Sequence, residues 1–200
     1  MERDSFHTIA RSTVATSKER SSKFIAYAYP VEQEQQIKDF LDTLRKQHYD
    51  ATHHCYAWRL GAEAENFRAN DDGEPSGTAG RPILGQLLSH DLTNCLIVVV
   101  RYFGGTKLGV PGLIGAYKEA AAEVIAASEI VECTVNREIR VDFSYVVMND
   151  IMKIIKDEQP TIVEQCFDNL CTLRLSIRES RAEGLSDKLK KVEGATLVAE

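Results

Sequence analysis

Two stretches of this 200-residue chain hold residues whose types and spacing could do chemistry. The first is Asp71-Asp72-Gly73-Glu74-Pro75-Ser76-Gly77-Thr78-Ala79-Gly80-Arg81-Pro82, and the second is Arg101-Tyr102-Phe103-Gly104-Gly105-Thr106-Lys107-Leu108-Gly109-Val110-Pro111-Gly112. Both are richer in glycine than a core requires, and each runs into a segment of helical periodicity. Unpaired backbone N–H groups and the positive end of the dipole at a helix start favour an anion. Glycine lets a ligand approach the main chain, and Arg81, Arg101 and Lys107 would add mobile positive charge. A phosphate or carboxylate site is the chemistry this pattern suggests. The standard phosphate loops fail when checked by position: Gly104 to Gly109 has the glycine spacing of a P-loop, but Val110 and Pro111 stand where Lys and Ser/Thr belong. Tight strand-to-helix turns explain either segment alone, and two in one domain weigh against that plain explanation.

Other chemistries are less well supplied. Asp71, Asp72 and Glu74 could offer oxygens to a divalent cation, but their spacing is not that of an EF-hand, and acidic residues before a helix are common for dipole reasons. No metal site is assigned. His54 and Cys55 are neighbours, yet in a strand they point to opposite faces, which removes them as a nucleophilic pair. The motifs themselves contain no histidine or cysteine, and His53 could reach them only from a neighbouring strand. General acid–base or nucleophilic catalysis needs a reactive group with a positioned partner, so no catalytic residue and no cofactor are assigned. Lys188, Lys190 and Lys191 read as a solvated helix face.

Composition bounds the partners. The net charge is −6, with fourteen basic against seventeen acidic residues before Ile130 and ten against thirteen from there on, so neither half is a basic arm. A nucleic-acid role would need a local patch working against the global charge. Five cysteines without a Cys-x-x-Cys pair argue against a disulfide framework or a structural zinc. The longest apolar run, Cys95 to Val100, is far shorter than a membrane span, and the polar N-terminus lacks a signal-peptide core. The expectation is a cytoplasmic protein with no membrane partner; no oligomeric state is implied.

The elements that must position these residues follow from periodicity. Thr8 to Ala15 and Lys23 to Pro30 read as strands of a hairpin around polar Thr16 to Ser22. Ile37, Phe40, Leu41 and Leu44 make one face of a helix from Glu32 to Gln47. His53 to Leu60 alternates as a strand and leads into a polar loop. Thr78 to His90 reads as a helix capped by Thr78 or Gly80, with Ile83, Leu84, Leu87 and Leu88 inward. Leu96 to Val100, apolar throughout, should be a central strand, and Leu113 to Ser128 a helix. The remainder reads as a strand within Val131 to Val147, a helix Asp150 to Glu158, a hairpin of Thr161 to Phe167 and Thr172 to Ile177 around Asp168-Asn169, a helix Ala182 to Lys191 and a strand Thr196 to Ala199. The fold class is therefore α+β with two α/β-type domains, residues 1–130 and 131–200, the second ferredoxin-like with the order β-α-β-β-α-β.

The segments DDGEPSGTAGRP (Asp71 to Pro82) and VVVRYFGGTKL (Val98 to Leu108) resemble the signature of the IMPACT family, bacterial YigZ branch; Ser22 to Ala26 and Ala51 to His53 extend the likeness. The resemblance implies a first domain like the α/β fold of a ribosomal protein and translocating elongation factors, and a second like the last domain of elongation factor G. It implies a binder of nucleic acid or of the translation apparatus. Eukaryotic relatives regulate translation under amino-acid starvation through an additional N-terminal domain, and that role is not carried over. Gly109 to Gly112 and Gly115 stand where the family commonly has a more glycine-rich turn and an arginine, which removes one positive charge from the site. The expected function is non-catalytic, regulatory binding of RNA or a ribosome-associated partner; the alternative is an enzyme or sensor for a small phosphorylated or carboxylated ligand in the same groove. The expected ligand contacts are Asp71, Asp72, Glu74, Ser76, Thr78 and Arg81 from the first segment, Arg101, Tyr102, Gly104, Gly105 and Lys107 from the second, and His53 beside them.

Overall fold

The computed structural model describes residues 4–168 and 170–198 and divides into two compact units, Ser5–Cys133 and Thr134 onward, with Asp4 joining the second. In the first unit β1 (Ser5–Ile9) is followed by the hairpin β2 (Thr13–Glu19) and β3 (Ser22–Pro30), then α1 (Glu34–Gln47), β4 (His53–Leu60), β5 (Asn66–Asn70), α2 (Gly80–Ser89), β6 (Cys95–Tyr102), α3 (Gly109–Ala126) and β7 (Ile130–Thr134). Five strands form one sheet in the order β2-β3-β6-β4-β5, antiparallel at every pair. The remaining two, β1 and β7, pair as a ribbon.

The sheet is covered on both sides, which is why β6 is buried from Cys95 through Arg101. On one face Ile37, Leu41 and Leu44 of α1 pack against Tyr56, Trp58, Leu96 and Val98. On the other, Ile83 and Leu87 of α2 and Leu113, Tyr117 and Val124 of α3 pack against Phe24, Cys55, Ala57, Ile97 and Val99. Alternation along β4 therefore sorts residues between two cores and not between core and solvent. The central, apolar strand agrees with expectation, as do the helices of this unit to within a few residues.

Several local expectations are corrected. Thr16 to Glu19, read as a turn for its polarity, is the outer half of β2; an edge strand tolerates polar residues because only one neighbour packs on it. Asn66–Asn70, read as loop, is the opposite edge strand for the same reason. Leu88 is exposed, one residue past the inward stripe of α2. Helix α3 starts at Gly109, with Pro111 in its first turn where a missing N–H costs nothing.

The second unit runs β8 (Asn136–Phe143), a single 3-10 turn at Tyr145–Val147, α4 (Met148–Glu158), β9 (Thr161–Phe167), β10 (Cys171–Arg178), α5 (Glu179–Lys190) and β11 (Ala195–Val198). Its antiparallel sheet has the order β11-β8-β10-β9, with outer strands contributed by the second and fourth of the series, the ferredoxin-like arrangement. Alternate residues Ile139, Val141, Phe143, Leu173 and Leu175 meet Ile151, Ile155, Leu185 and Leu189 of the two helices. The single strand read within Val131 to Val147 is two, β7 and β8. Asn169 of the hairpin turn and Ala199 of the last strand lie outside the described residues. Among the described residues no helix is long and apolar enough to cross a membrane.

Candidate functional site

Register builds the site. Arg101 on β6 stands opposite Phe24 on β3 and His53 on β4, so the three share a row at one end of the sheet, on the side of α2 and α3. Glu74, in the loop between β5 and α2, comes down on this row. Arg101 Nη1 donates to Glu74 Oε1 at 2.6 Å, and Tyr117 Oη of α3 donates to the same oxygen at 2.8 Å. The pair is deeply buried, Glu74 being 8% exposed and Arg101 5%. The guanidinium carbon lies 5.6 Å from the ring centres of both Phe24 and Phe103. Cation–π attraction of this kind offsets part of the desolvation of the guanidinium. Phe24 meets Tyr117 edge to face at 5.2 Å, which locks the phenol toward Glu74.

His53 Nδ1 is 2.7 Å from the Asp72 carbonyl, and its Nε2 is 3.8 Å from Glu74 Oε1. A carbonyl only accepts, so the proton of neutral His53 sits on Nδ1 and Nε2 presents a lone pair. In front of this floor opens a cleft of about 420 Å³. Thr52, Pro75, Phe103 and Leu113 wall it, Lys107 stands at its edge, and Gly109 and Val110 bring the first turn of α3 to it. Of the residues singled out from sequence, the cleft thus unites His53, Glu74, Arg101 and Lys107.

The others serve the frame. Asp71 caps α2 from eight or nine residues away: its carboxylate accepts from the N–H groups of Gly77 (2.8 Å), Ala79 (3.0 Å) and Gly80 (2.8 Å). Burial alone would raise its pKa, but those three amides together with Arg81 leave it lowered. Neither Thr78 nor Gly80 is the cap; Thr78 Oγ1 donates to the Pro75 carbonyl at 2.6 Å, and Ala79 occupies the capping position. Asp72, at φ 42°, accepts the His54 N–H at 2.6 Å and holds the turn. Ser76 and Arg81 are exposed outside the cleft. Tyr102 faces the α1 side, where its hydroxyl lies 2.8 Å from His48 Nδ1. A Cβ on Gly104 would lie 1.8 Å from the Ser21 carbonyl oxygen, so that glycine lets the loop close on the β2–β3 turn. Gly105, at φ 87°, belongs to the same exposed turn. Arg101 itself is not the mobile cation expected. Its strand lies inside an antiparallel sheet, and the Glu74 loop roofs that end and pairs with the guanidinium.

Sequence reasoning missed Phe103, Pro75 and Tyr117. Tyr117 carried only the signal of an apolar helical stripe, and nothing local to it announces that its hydroxyl meets Glu74. Cys55 Sγ lies 3.0 Å from the Asp71 carbonyl and 3.3 Å from Tyr117 Oη, and burial drives its pKa strongly upward, so the thiol behaves as core.

Residues 20–125, which hold the whole of this site, match the family model described as the Impact N-terminal domain. The chain belongs to the IMPACT family. It is similar to the IMPACT family member YvyE of Bacillus subtilis, at 34% identity covering 83% of this chain and 76% of the relative. It is also similar to the family member YigZ of Escherichia coli, at 30% identity covering 85% and 84%. A crystal structure of a hypothetical protein aligns over 98% of both chains with a TM-score of 0.73 and 28% identity.

Proposed function

We propose that this chain is a non-catalytic, regulatory binding protein that takes a nucleotide unit of a translation-associated RNA into the cleft. One observation carries the reading: a single recess combines a cation and a helix start at its edge, apolar walls with a half-exposed aromatic ring, and a floor whose charges cancel. Lys107 has no ion pair among the described residues, so its charge is available to a phosphate that also meets the first N–H groups of α3. Phe103, 47% exposed, offers a face on which a base can stack. The floor pair of Glu74 and Arg101 is neutral as a unit and asks for no ligand charge. Two of the groups that could act as nucleophiles are committed elsewhere: the Cys55 thiol is in the core and the Thr78 hydroxyl donates to the Pro75 carbonyl. The size of the recess favours one inserted nucleotide over a long tracked backbone, and that same size supports a sensor of a free phosphorylated small molecule as the second reading.

The test is fluorescence anisotropy of the full chain with a labelled single-stranded RNA hexamer, a free mononucleotide as competitor, and salt stepped upward. Binding through one or two phosphates gives a shallow log–log salt slope of about −0.7 to −1.4. Lys107→Glu abolishes binding with folding intact. A hexamer and mononucleotides that both fail to bind at millimolar concentration overturn the reading, and a mononucleotide that binds while the hexamer does not selects the sensor.

A further inference from the structure

We propose that the floor of the cleft selects guanine among the nucleobases, an inference that rests on the nucleotide reading above. Both hydrogen bonds to Glu74 end on Oε1, from Arg101 and from Tyr117, and among the described residues nothing donates to Oε2. Glu74 is nine-tenths buried as a residue and lines the cleft, so the acceptor left open is on a carboxylate that borders the recess. On the other side of the ion pair, Arg101 Nε is buried without a partner. Buried polar groups in native proteins are almost always satisfied, and each exception calls for an occupant or an explanation. A second acceptor stands 3.8 Å from the other oxygen, Oε1: in neutral His53 the hydrogen bond from Nδ1 to the Asp72 carbonyl leaves the lone pair on Nε2.

Two neighbouring acceptors on a charge-compensated floor define the complementary edge. It must present two adjacent donors and carry no net charge. Guanine does so with N1–H and the exocyclic N2 amine on one edge. Adenine and cytosine present one amine next to an acceptor, and uracil one N–H between two carbonyls. Each of these sets an acceptor against Glu74 or His53 and leaves a buried group unpaired. A site built to satisfy hydrogen bonds discriminates strongly against analogues that cannot make them. An ammonium ligand fits less well, because Arg101 has already neutralised the carboxylate it would need. With the base in this position, Phe103 lies along the wall and Lys107 and the start of α3 stand at the phosphate end.

The experiment is isothermal titration of the full chain with guanosine, inosine, adenosine, cytidine and uridine 5′-monophosphates at one low salt concentration. The guanosine nucleotide binds at least about tenfold tighter than the others, a difference of roughly 1.4 kcal/mol. Inosine, which lacks only the N2 amine, isolates the contribution of that donor. Glu74→Gln places an amide donor against the guanine donors and removes the preference, and His53→Ala lowers it without touching the ion pair. Should Glu74→Gln fail to fold, His53→Ala and the inosine comparison decide the matter. Five nucleotides binding alike, or a guanine preference unchanged in His53→Ala and absent against inosine, overturns base selection while the nucleotide reading stands. None binding overturns both.

Discussion

Arg101 and Lys107 are six residues apart in one motif, and the structure predicts opposite outcomes for the same substitution at each. Lys107 is exposed and makes no ion pair among the described residues, so Lys107→Glu changes stability by no more than about 0.5 kcal/mol, the usual range for such surface positions. Arg101→Glu removes the partner of a carboxylate that is 8% exposed and sets a second carboxylate where the guanidinium stood 2.6 Å away. Breaking a buried pair by removing one member costs about 3–5 kcal/mol, because the remaining charge is left uncompensated. For a unit of this size that lowers the melting temperature by roughly 10–25 °C, taking about 3–5 °C per kcal/mol. The assay is urea and thermal unfolding followed by the emission of Trp58, the chain's single tryptophan, buried in the first unit. Arg101→Met combined with Glu74→Leu recovers much of the loss, since a buried pair exchanged whole for apolar residues is close to neutral. An Arg101→Glu protein that melts within about 2 °C of the parent would falsify the buried-pair account and return Arg101 to the role of a mobile surface cation.

Three further outcomes follow from the same geometry. Asp71→Asn destabilises the first unit by about 1–3 kcal/mol in chemical denaturation, because an amide cannot accept all three of the Gly77, Ala79 and Gly80 N–H groups. The folded-state pKa of Asp71 lies below its ordinary 3.8, so its contribution is complete above that value and is lost as pH falls through the lower folded value; an acid titration of the parent against Asp71→Asn reads this difference. His48 and His54 are both held below the ordinary 6.5, chiefly by burial, so unfolding takes up protons below pH 6.5 and stability declines there. A pH–stability curve that is flat between 6.5 and 5, or that is unchanged in His54→Asn, contradicts the burial argument. In thiol labelling of the native protein, exposed Cys166 reacts while Cys55 and Cys95, the latter pushed up to about 12, stay protected until unfolding; rapid native modification of Cys55 would place that thiol outside the core.

Much of the architecture was legible from local pattern. The apolar run at Leu96 to Val100 announced a strand covered on both faces, and the spacing of Ile37, Leu41 and Leu44 announced the helix that covers one of them. Edge strands were harder. Asn66–Asn70 and the outer half of β2 are mostly exposed, and a strand supported on one side needs no apolar pattern to betray it. Composition singled out the two segments that line the cleft, but not the roles of the residues within them. Asp71, Asp72 and Glu74 look equivalent in the chain, yet one caps a helix, one pins a turn and one is buried against Arg101.

The sequence by itself determined the two α+β units, the segments that form the cleft and the likeness to a known family, because those depend on periodicity and on ordered motifs read along the chain. Tertiary structure alone decided which of the charged residues is available. Whether a carboxylate is an open acceptor or a cap, and whether an arginine is mobile or locked, depends on neighbours brought together by strand register. His53 opposite Arg101, and Tyr117 reaching Glu74 from another helix, are contacts between residues 43 or more positions apart in the chain. Burial then multiplies the strength of each such contact, and no pattern of residue types along a single segment carries that information.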